Sequence, residues 1–193
     1  MATRDDLLAT LPVARAFEAL GVRYYIGGSV ASSAFGVIRS TADVVFVAEL
    51  AERHVVPLVR MLGDDYYTDE QMIRDAIRQR SSVNFIHIPT SYKVDVFVAK
   101  QRRFDEAAWE RVRRHAPFEG SDEQFPIASP EDVILSKLEW YRLGDEMSER
   151  QWGDILGVMK VQEPDLNRAY LDHWAKELGV SDPLQRAWLE AGV

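Results

Sequence analysis

The stretch Tyr24-Tyr-Ile-Gly-Gly-Ser29 decides how this chain folds. Aromatic and β-branched residues before two glycines are typical of a strand that ends in a tight turn, and the small residues from Val30 to Phe35 predict a short helix. Glycine lets backbone N–H groups approach an anion, and a helix N-terminus favours negative charge. Gly28 and Ser29 are therefore a candidate phosphate-binding turn, although two glycines also serve ordinary turns.

Two acidic residues lie on predicted strands after this turn. Asp43 opens the apolar run that ends at Val47, and thirteen residues separate it from Ser29. Asp95 lies inside a second strand, and the valines beside it point to the opposite face. Two carboxylates on neighbouring strands beside a glycine–serine turn predict a Mg²⁺–triphosphate site, with Mn²⁺ as the alternative ion. Arg39 precedes Asp43 closely, and we assign it to phosphate binding.

The remaining patterns predict an α/β half over residues 1–126 and a C-terminal helical bundle over residues 127–193. We expect a mixed β-sheet flanked by helices. Ser129 followed by Pro130 predicts a helix start, since serine caps helices and proline favours the first position. Further helices are predicted over 3–20, 51–62, 68–80, 103–115, 148–161, 167–178 and 182–191, and strands over 23–26, 43–47, 83–88 and 92–99.

The composition excludes several classes of protein. The chain has 193 residues, no cysteine and a net charge of −8, so we expect no disulfide framework and no general coating of nucleic acid. No apolar run is long enough for a membrane span, and we predict a cytoplasmic protein. Basic residues cluster between Lys100 and His115, and we favour a solvated helix face there over an RNA-binding groove.

The combination of motifs resembles the nucleotidyltransferase superfamily. Its pattern is a glycine–serine turn, a gap, Asp-x-Asp or Asp-x-Glu, and a third acid on a later strand. The lead-in from Arg39 to Asp43 is similar to the branch of the AbiEii-type toxins of bacterial toxin–antitoxin pairs. The segment from Ser129 to Asp154 is similar to that branch's downstream lysine and aspartate motifs.

The resemblance implies a Mg²⁺-dependent enzyme that transfers a nucleoside monophosphate from an NTP to a hydroxyl of tRNA or protein, with an antitoxin as partner. Gly28 and Ser29 would hold phosphates, and Asp43 and Asp95 would bind metal. Lys137 would contact phosphate or nucleotide. Asp154 would support the site from the helical half.

One position departs from the family pattern. Val45 stands where the pattern has its second acid, and residues 43 and 45 face the same side of a strand. Loss of a shared ligand should weaken metal binding and slow the chemistry. Three explanations stay open: a catalytically dead nucleotide-binding or regulatory module, an unusual ligand set, and an inactivating substitution in a toxic protein.

Four tryptophans lie in the predicted helical half. We expect them to pack in the core between helices rather than to stack on nucleic acid bases. They are Trp140, Trp152, Trp174 and Trp188.

Overall fold

A seven-stranded mixed sheet organises the described part of the chain, in the strand order β3-β4-β5-β2-β1-β7-β6. The computed structural model describes residues 4–36 and 43–193. The strands are β1 (Tyr24–Gly27), β2 (Asp43–Ala48), β3 (Tyr66–Tyr67), β4 (Ser82–His87), β5 (Tyr92–Val98), β6 (Arg113–His115) and β7 (Phe125–Ile127). The helices are α1 (Arg4–Ala19), α2 (Gly28–Phe35), α3 (Val55–Leu62), α4 (Glu70–Gln79), α5 (Arg103–Glu110), α6 (Pro130–Leu143), α7 (Glu149–Gln162), α8 (Arg168–Leu178) and α9 (Ser181–Ala191).

The centre of the sheet has one buried face and one face that is only partly covered. β2 and β5 pair in parallel, and burial alternates along both strands. The buried side carries Val44, Phe46, Val94 and Val96, and Phe17 of α1 packs edge-on against Phe46 at 5.6 Å between ring centroids. Because side chains alternate between faces, the polar residues of both strands share the other side.

The C-terminal helices close over that second side. α2 packs against α6 and α7, and α6 also packs against α8. The predicted start of α6 is confirmed: the Ser129 hydroxyl accepts a hydrogen bond from the backbone N–H of Asp132. Within the described ranges, none of the helices combines the length and the apolar character that a membrane crossing requires.

Three features of the predicted element map are wrong. The helix expected over 103–115 ends at Glu110, and the basic residues Arg113–His115 form β6 instead, because pairing with β7 satisfies their backbone. The helix expected over 68–80 begins at Glu70, and Asp69 is its N-cap. The short strands β3 and β7 were not predicted, since two or three residues carry too little periodicity.

We expect the fold to lose stability in mild acid through His54. This ring is 4% exposed, and its Nδ1 accepts a hydrogen bond from the backbone N–H of Ala51 at 3.1 Å. Burial, with the nearby charge of Arg53, lowers the pKa of His54 below its usual 6.5. The folded state therefore binds fewer protons than the unfolded state, so stability is full above pH 6.5 and falls as the pH drops towards the folded pKa.

Chemical denaturation at about pH 7.5 and about pH 5.5 measures this effect, since histidine titrates between them. The variant His54→Asn keeps an acceptor and cannot take up a proton, so we expect a smaller loss of unfolding free energy than in the natural chain. An equal loss in both proteins contradicts the assignment to His54.

Candidate functional site

A cleft of about 260 Å³ lies between the partly covered face of the sheet and the helices α6 and α7. Its floor is formed by β2 and β5, one end by the turn between β1 and α2, and its roof by α6. It contains most of the residues predicted for the site: Gly28, Ser29, Asp43, Asp95 and Lys137 all line it. The fold thus brings together positions that are more than one hundred residues apart in sequence.

The turn is built around a glycine that no other residue can replace easily. Gly28 has φ +59°, in the left-handed region, and opens α2. A Cβ placed on it would lie 2.8 Å from Cγ2 and 3.0 Å from Cβ of Val45. The Ser32 hydroxyl bonds the carbonyl oxygens of Gly28 and Ser29, at 3.2 and 3.1 Å, which fixes the first turn of the helix. Val45 therefore packs directly on the candidate phosphate-binding turn.

The parallel pairing of β2 and β5 places both acids on the same face. In the register, Asp43 pairs with Lys93 and Val45 pairs with Asp95. Asp43 and Asp95 therefore lie diagonally across neighbouring strands, and both line the cleft. The position directly opposite Asp95 is the one where the family pattern has an acid, and it carries the isopropyl group of Val45.

Asp95 is held by two neighbours on the sheet. Lys93 Nζ lies 3.0 Å from Oδ2, and the side-chain amide of Asn84 donates to Oδ1. Asn84 is the cross-strand partner of Asp95 on β4. Both carboxylate oxygens are thus engaged from within the chain, a contact that the sequence pattern did not indicate.

Lys137 and Asp154 form a buried ion pair. Lys137 Nζ donates to Asp154 Oδ2 at 2.8 Å, and their side chains are 9% and 7% exposed. Lys137 lines the cleft from α6, whereas Asp154 lies behind it on α7. Two charges buried together stabilise each other, and removal of one would leave the other uncompensated. The predicted contact of Lys137 with phosphate stays a prediction. Arg39 lies outside the described residues.

The far end of the cleft is apolar, and one tryptophan prediction is wrong there. Trp140 is 48% exposed and lies on the cleft wall, with its ring centroid 5.6 Å from that of Phe97. Trp174 is buried, and Trp152 and Trp188 pack against the core as expected. Trp140 differs because its helical position turns towards the cleft rather than towards α7 or α8. Val47 and Leu143 line the cleft together with this exposed ring.

An arginine network, missed from sequence, closes the cleft at the ends of β5 and α5. The guanidinium of Arg102 bonds Asp105 at 2.9 Å and also Glu139 of α6. The hydrogen bonds to Asp105 and Glu139 outweigh burial and raise the pKa of Arg102. The network connects the start of α5 to α6. Arg102, a member of the predicted basic cluster, is thus paired with carboxylates of the protein itself.

A second buried network holds the helical half against α5. Glu131 and Asp132 are almost fully buried, and Arg111 lies 2.6 Å from Glu131 and 3.7 Å from Asp132. Tyr170 donates a hydrogen bond to Asp132 at 2.7 Å. Burial raises the pKa of Asp132 against the opposing effect of Ser129, Tyr170 and Arg111. We interpret this network as structural, although Asp132 also touches the cleft.

The carboxylates do not fit the metal pair that the family pattern implies. Two-metal catalysis needs several carboxylate oxygens directed at both ions. Among the described residues, Asp43 and Asp95 are the cleft carboxylates on the sheet, Val45 pairs with Asp95, and both oxygens of Asp95 are bonded. The other carboxylates of the cleft lining, Asp105, Asp132 and Glu139, are bonded within the two networks described above. No group of three metal-ligating side chains occurs in the described ranges.

Comparison with known proteins identifies the fold. No protein-family model and no curated protein matches the sequence. The antibiotic-resistance factor ANT(2'')-Ia superposes with a TM-score of 0.55 at 14% identity, over 95% of this chain and 94% of its own. The lincosamide antibiotic adenylyltransferase LnuA, in its lincomycin-bound form, gives 0.50 at 15% identity, over 83% of this chain and 98% of its own. An antigenic nucleotidyltransferase-like protein from Paracoccidioides brasiliensis gives 0.50 at 15% identity, over 97% and 94%.

At these identities the likeness shows the fold alone. The chain has a nucleotidyltransferase-like fold, which confirms the predicted fold class of a mixed sheet flanked by helices with a C-terminal set of helices. The resemblance to AbiEii-type toxins, the division at residue 126 and the roles of the individual site residues stay predictions.

The two glycines of the turn should respond differently to alanine. We expect Gly28→Ala to lower the free energy of unfolding by at least about 1–2 kcal/mol, because a left-handed backbone is costly for an L-residue and the new methyl meets Val45. Gly27 has φ −120° and no neighbour closer than 4.0 Å to a Cβ, so we expect Gly27→Ala to change it by less than about 0.5 kcal/mol. Urea denaturation of both variants measures the difference, and equal losses would show that the turn is not built as described.

Proposed function

We propose that this chain binds a nucleotide in the cleft beside Gly28 and Ser29, and that Val45 leaves it little capacity to transfer that nucleotide. The observation that carries the proposal is the pairing of Val45 with Asp95 inside a cleft that keeps the phosphate-binding turn. Nucleotide binding depends chiefly on the turn and on the cleft walls. Transfer also needs carboxylates that hold metal at the reacting phosphate.

The two ends of the cleft match the two ends of a nucleotide. Backbone N–H groups at the start of α2 face one end, where negative phosphate oxygens are favoured. Phe97 and the exposed ring of Trp140 form the other end, which suits a nucleobase. Val45 packs on Gly28 at the first end and is the cross-strand partner of Asp95. Phe97 follows Asp95 by two residues on the same face of β5, about 7 Å along the strand, so one small molecule can reach both ends.

A catalytically active enzyme is the second candidate. It is favoured by the placement of Asp43 and Asp95 on one face of the sheet, within the same cleft. In this alternative the two carboxylates hold Mg²⁺ or Mn²⁺, and a nucleoside monophosphate passes from an NTP to a hydroxyl with release of pyrophosphate.

Three kinds of acceptor are candidates in this alternative. The AbiEii-like motifs favour tRNA or a protein, with an antitoxin that neutralises the activity. The fold likeness to an antibiotic-resistance factor and to a lincosamide adenylyltransferase adds a small-molecule hydroxyl. All three fit a cleft that is open at the apolar end, where Leu143 is 68% exposed.

Introducing a carboxylate at position 45 tests the proposal. The natural chain, Val45→Asp and Val45→Asn are each incubated with α-labelled NTPs, Mg²⁺ and an acceptor: total RNA, lysate protein or a lincosamide. We expect label transfer with Val45→Asp, because the new carboxylate would complete a set of three on one face of the sheet. Val45→Asn has the same size without the charge and is the matched control.

Each outcome separates the two candidates. Label with Val45→Asp alone supports the proposal that Val45 disables transfer. Equal label with the natural chain shows that the second carboxylate is dispensable, and the active enzyme replaces the proposal. If none of the three proteins binds any NTP by equilibrium dialysis, nucleotide binding itself is wrong.

A further inference from the structure

Lys93 is a neighbour of both acids of the cleft in the sheet. It is the cross-strand partner of Asp43 in the parallel pairing of β2 and β5. It also precedes Asp95 by two residues on β5, so the two side chains leave the strand on the same face. Its Nζ lies 3.0 Å from Oδ2 of Asp95. Lys93 is thus paired with one of the two carboxylates that were predicted to bind metal, and it lies opposite the other in the strand register.

Asn84 completes the environment of Asp95 from the other side. Its amide donates to Oδ1, while Lys93 holds Oδ2. Each of these contacts uses one lone pair of a carboxylate oxygen that a metal ion could otherwise use. The Asp95 side chain is 14% exposed, and that of Lys93 is 45% exposed. A divalent ion at Asp95 must therefore compete with the ammonium group of Lys93.

We infer that Lys93 takes the place of the divalent cation in this cleft. The ammonium group supplies to Asp95 the positive charge that a divalent ion would otherwise bring. The cleft then accepts a nucleotide as the free anion rather than as its magnesium complex. This inference deepens the proposed function and rests on it for the nucleotide, but the loss of metal binding stands independently.

Electrostatics gives the direction of the effect. The negative charge of Asp95 attracts a divalent ion, whereas the ammonium group in contact with this carboxylate opposes the attraction and repels the ion directly. Val45 adds to this because it brings no ligand to the position opposite Asp95. Two residues of this chain, Val45 and Lys93, therefore work against metal binding by different routes: one removes a ligand and the other occupies one.

The test is a calorimetric titration of Mn²⁺ alone into the full chain, without nucleotide. Val45→Asp provides a background with three carboxylates, in which metal binding is measurable. In this background we expect Lys93→Ala to tighten Mn²⁺ binding by about tenfold or more, since it removes a charge in contact with a ligand. Lys176→Ala changes an exposed lysine on α8 and is the matched control, with no change expected.

Two outcomes would overturn the inference. Equal Mn²⁺ affinity of Val45→Asp with and without Lys93 shows that the lysine does not compete with metal. No Mn²⁺ binding in either protein shows that Asp43 and Asp95 do not form a metal site even when Lys93 is absent.

The nucleotide arm uses the natural chain and Lys93→Ala, each with ATP in Mg²⁺ or in EDTA. We expect the natural chain to bind ATP equally in both conditions and the variant to bind it better with Mg²⁺. Stronger binding by the natural chain in Mg²⁺ contradicts the role of Lys93. Absence of ATP binding in all four measurements contradicts the proposed function instead, and the Mn²⁺ titration still decides the metal question.

Discussion

The parallel pairing of β2 with β5 is the constraint on which the candidate site depends. It joins two strands whose Val44, Phe46, Val94 and Val96 form the core on one side, so Asp43, Val45 and Asp95 have to share the other. A shift of the register by one residue would bury the acids and expose the apolar core residues, and the fold would lose stability. The same alternation that stabilises the fold thus fixes which side chains meet in the cleft.

Within that frame, Val45 stands where the family pattern has its second acid, and its side chain fits the architecture. Its side chain packs on Gly28 and keeps the turn in place, while Asp95 finds partners in Lys93 and Asn84. The sheet tolerates this arrangement because the carboxylate is paired rather than left buried alone. The valine at position 45 and the paired carboxylate of Asp95 support the proposal that the cleft binds a nucleotide and transfers it poorly.

The sequence predicted the turn, the two central strands and the capped start of α6, because glycine pairs, period-two alternation and a serine cap are local signals. It predicted that Asp43 and Asp95 would be close, since both interrupt apolar strands. It did not predict the partners of Asp95 or the exposure of Trp140, because these follow from strand order and helix orientation. The helix predicted over 103–115 is too long, because the pairing of Arg113–His115 with β7 outweighs their helical propensity.

The most direct test of the nucleotide-binding cleft is an NMR titration of the ¹⁵N-labelled natural chain with ATP in EDTA. Binding as described predicts shifts of the backbone amides of Gly28 and Ser29 together with the indole N–H of Trp140, unchanged on addition of Mg²⁺. Shifts confined to other surfaces, or shifts of these groups that arise only after Mg²⁺ is added, would contradict it.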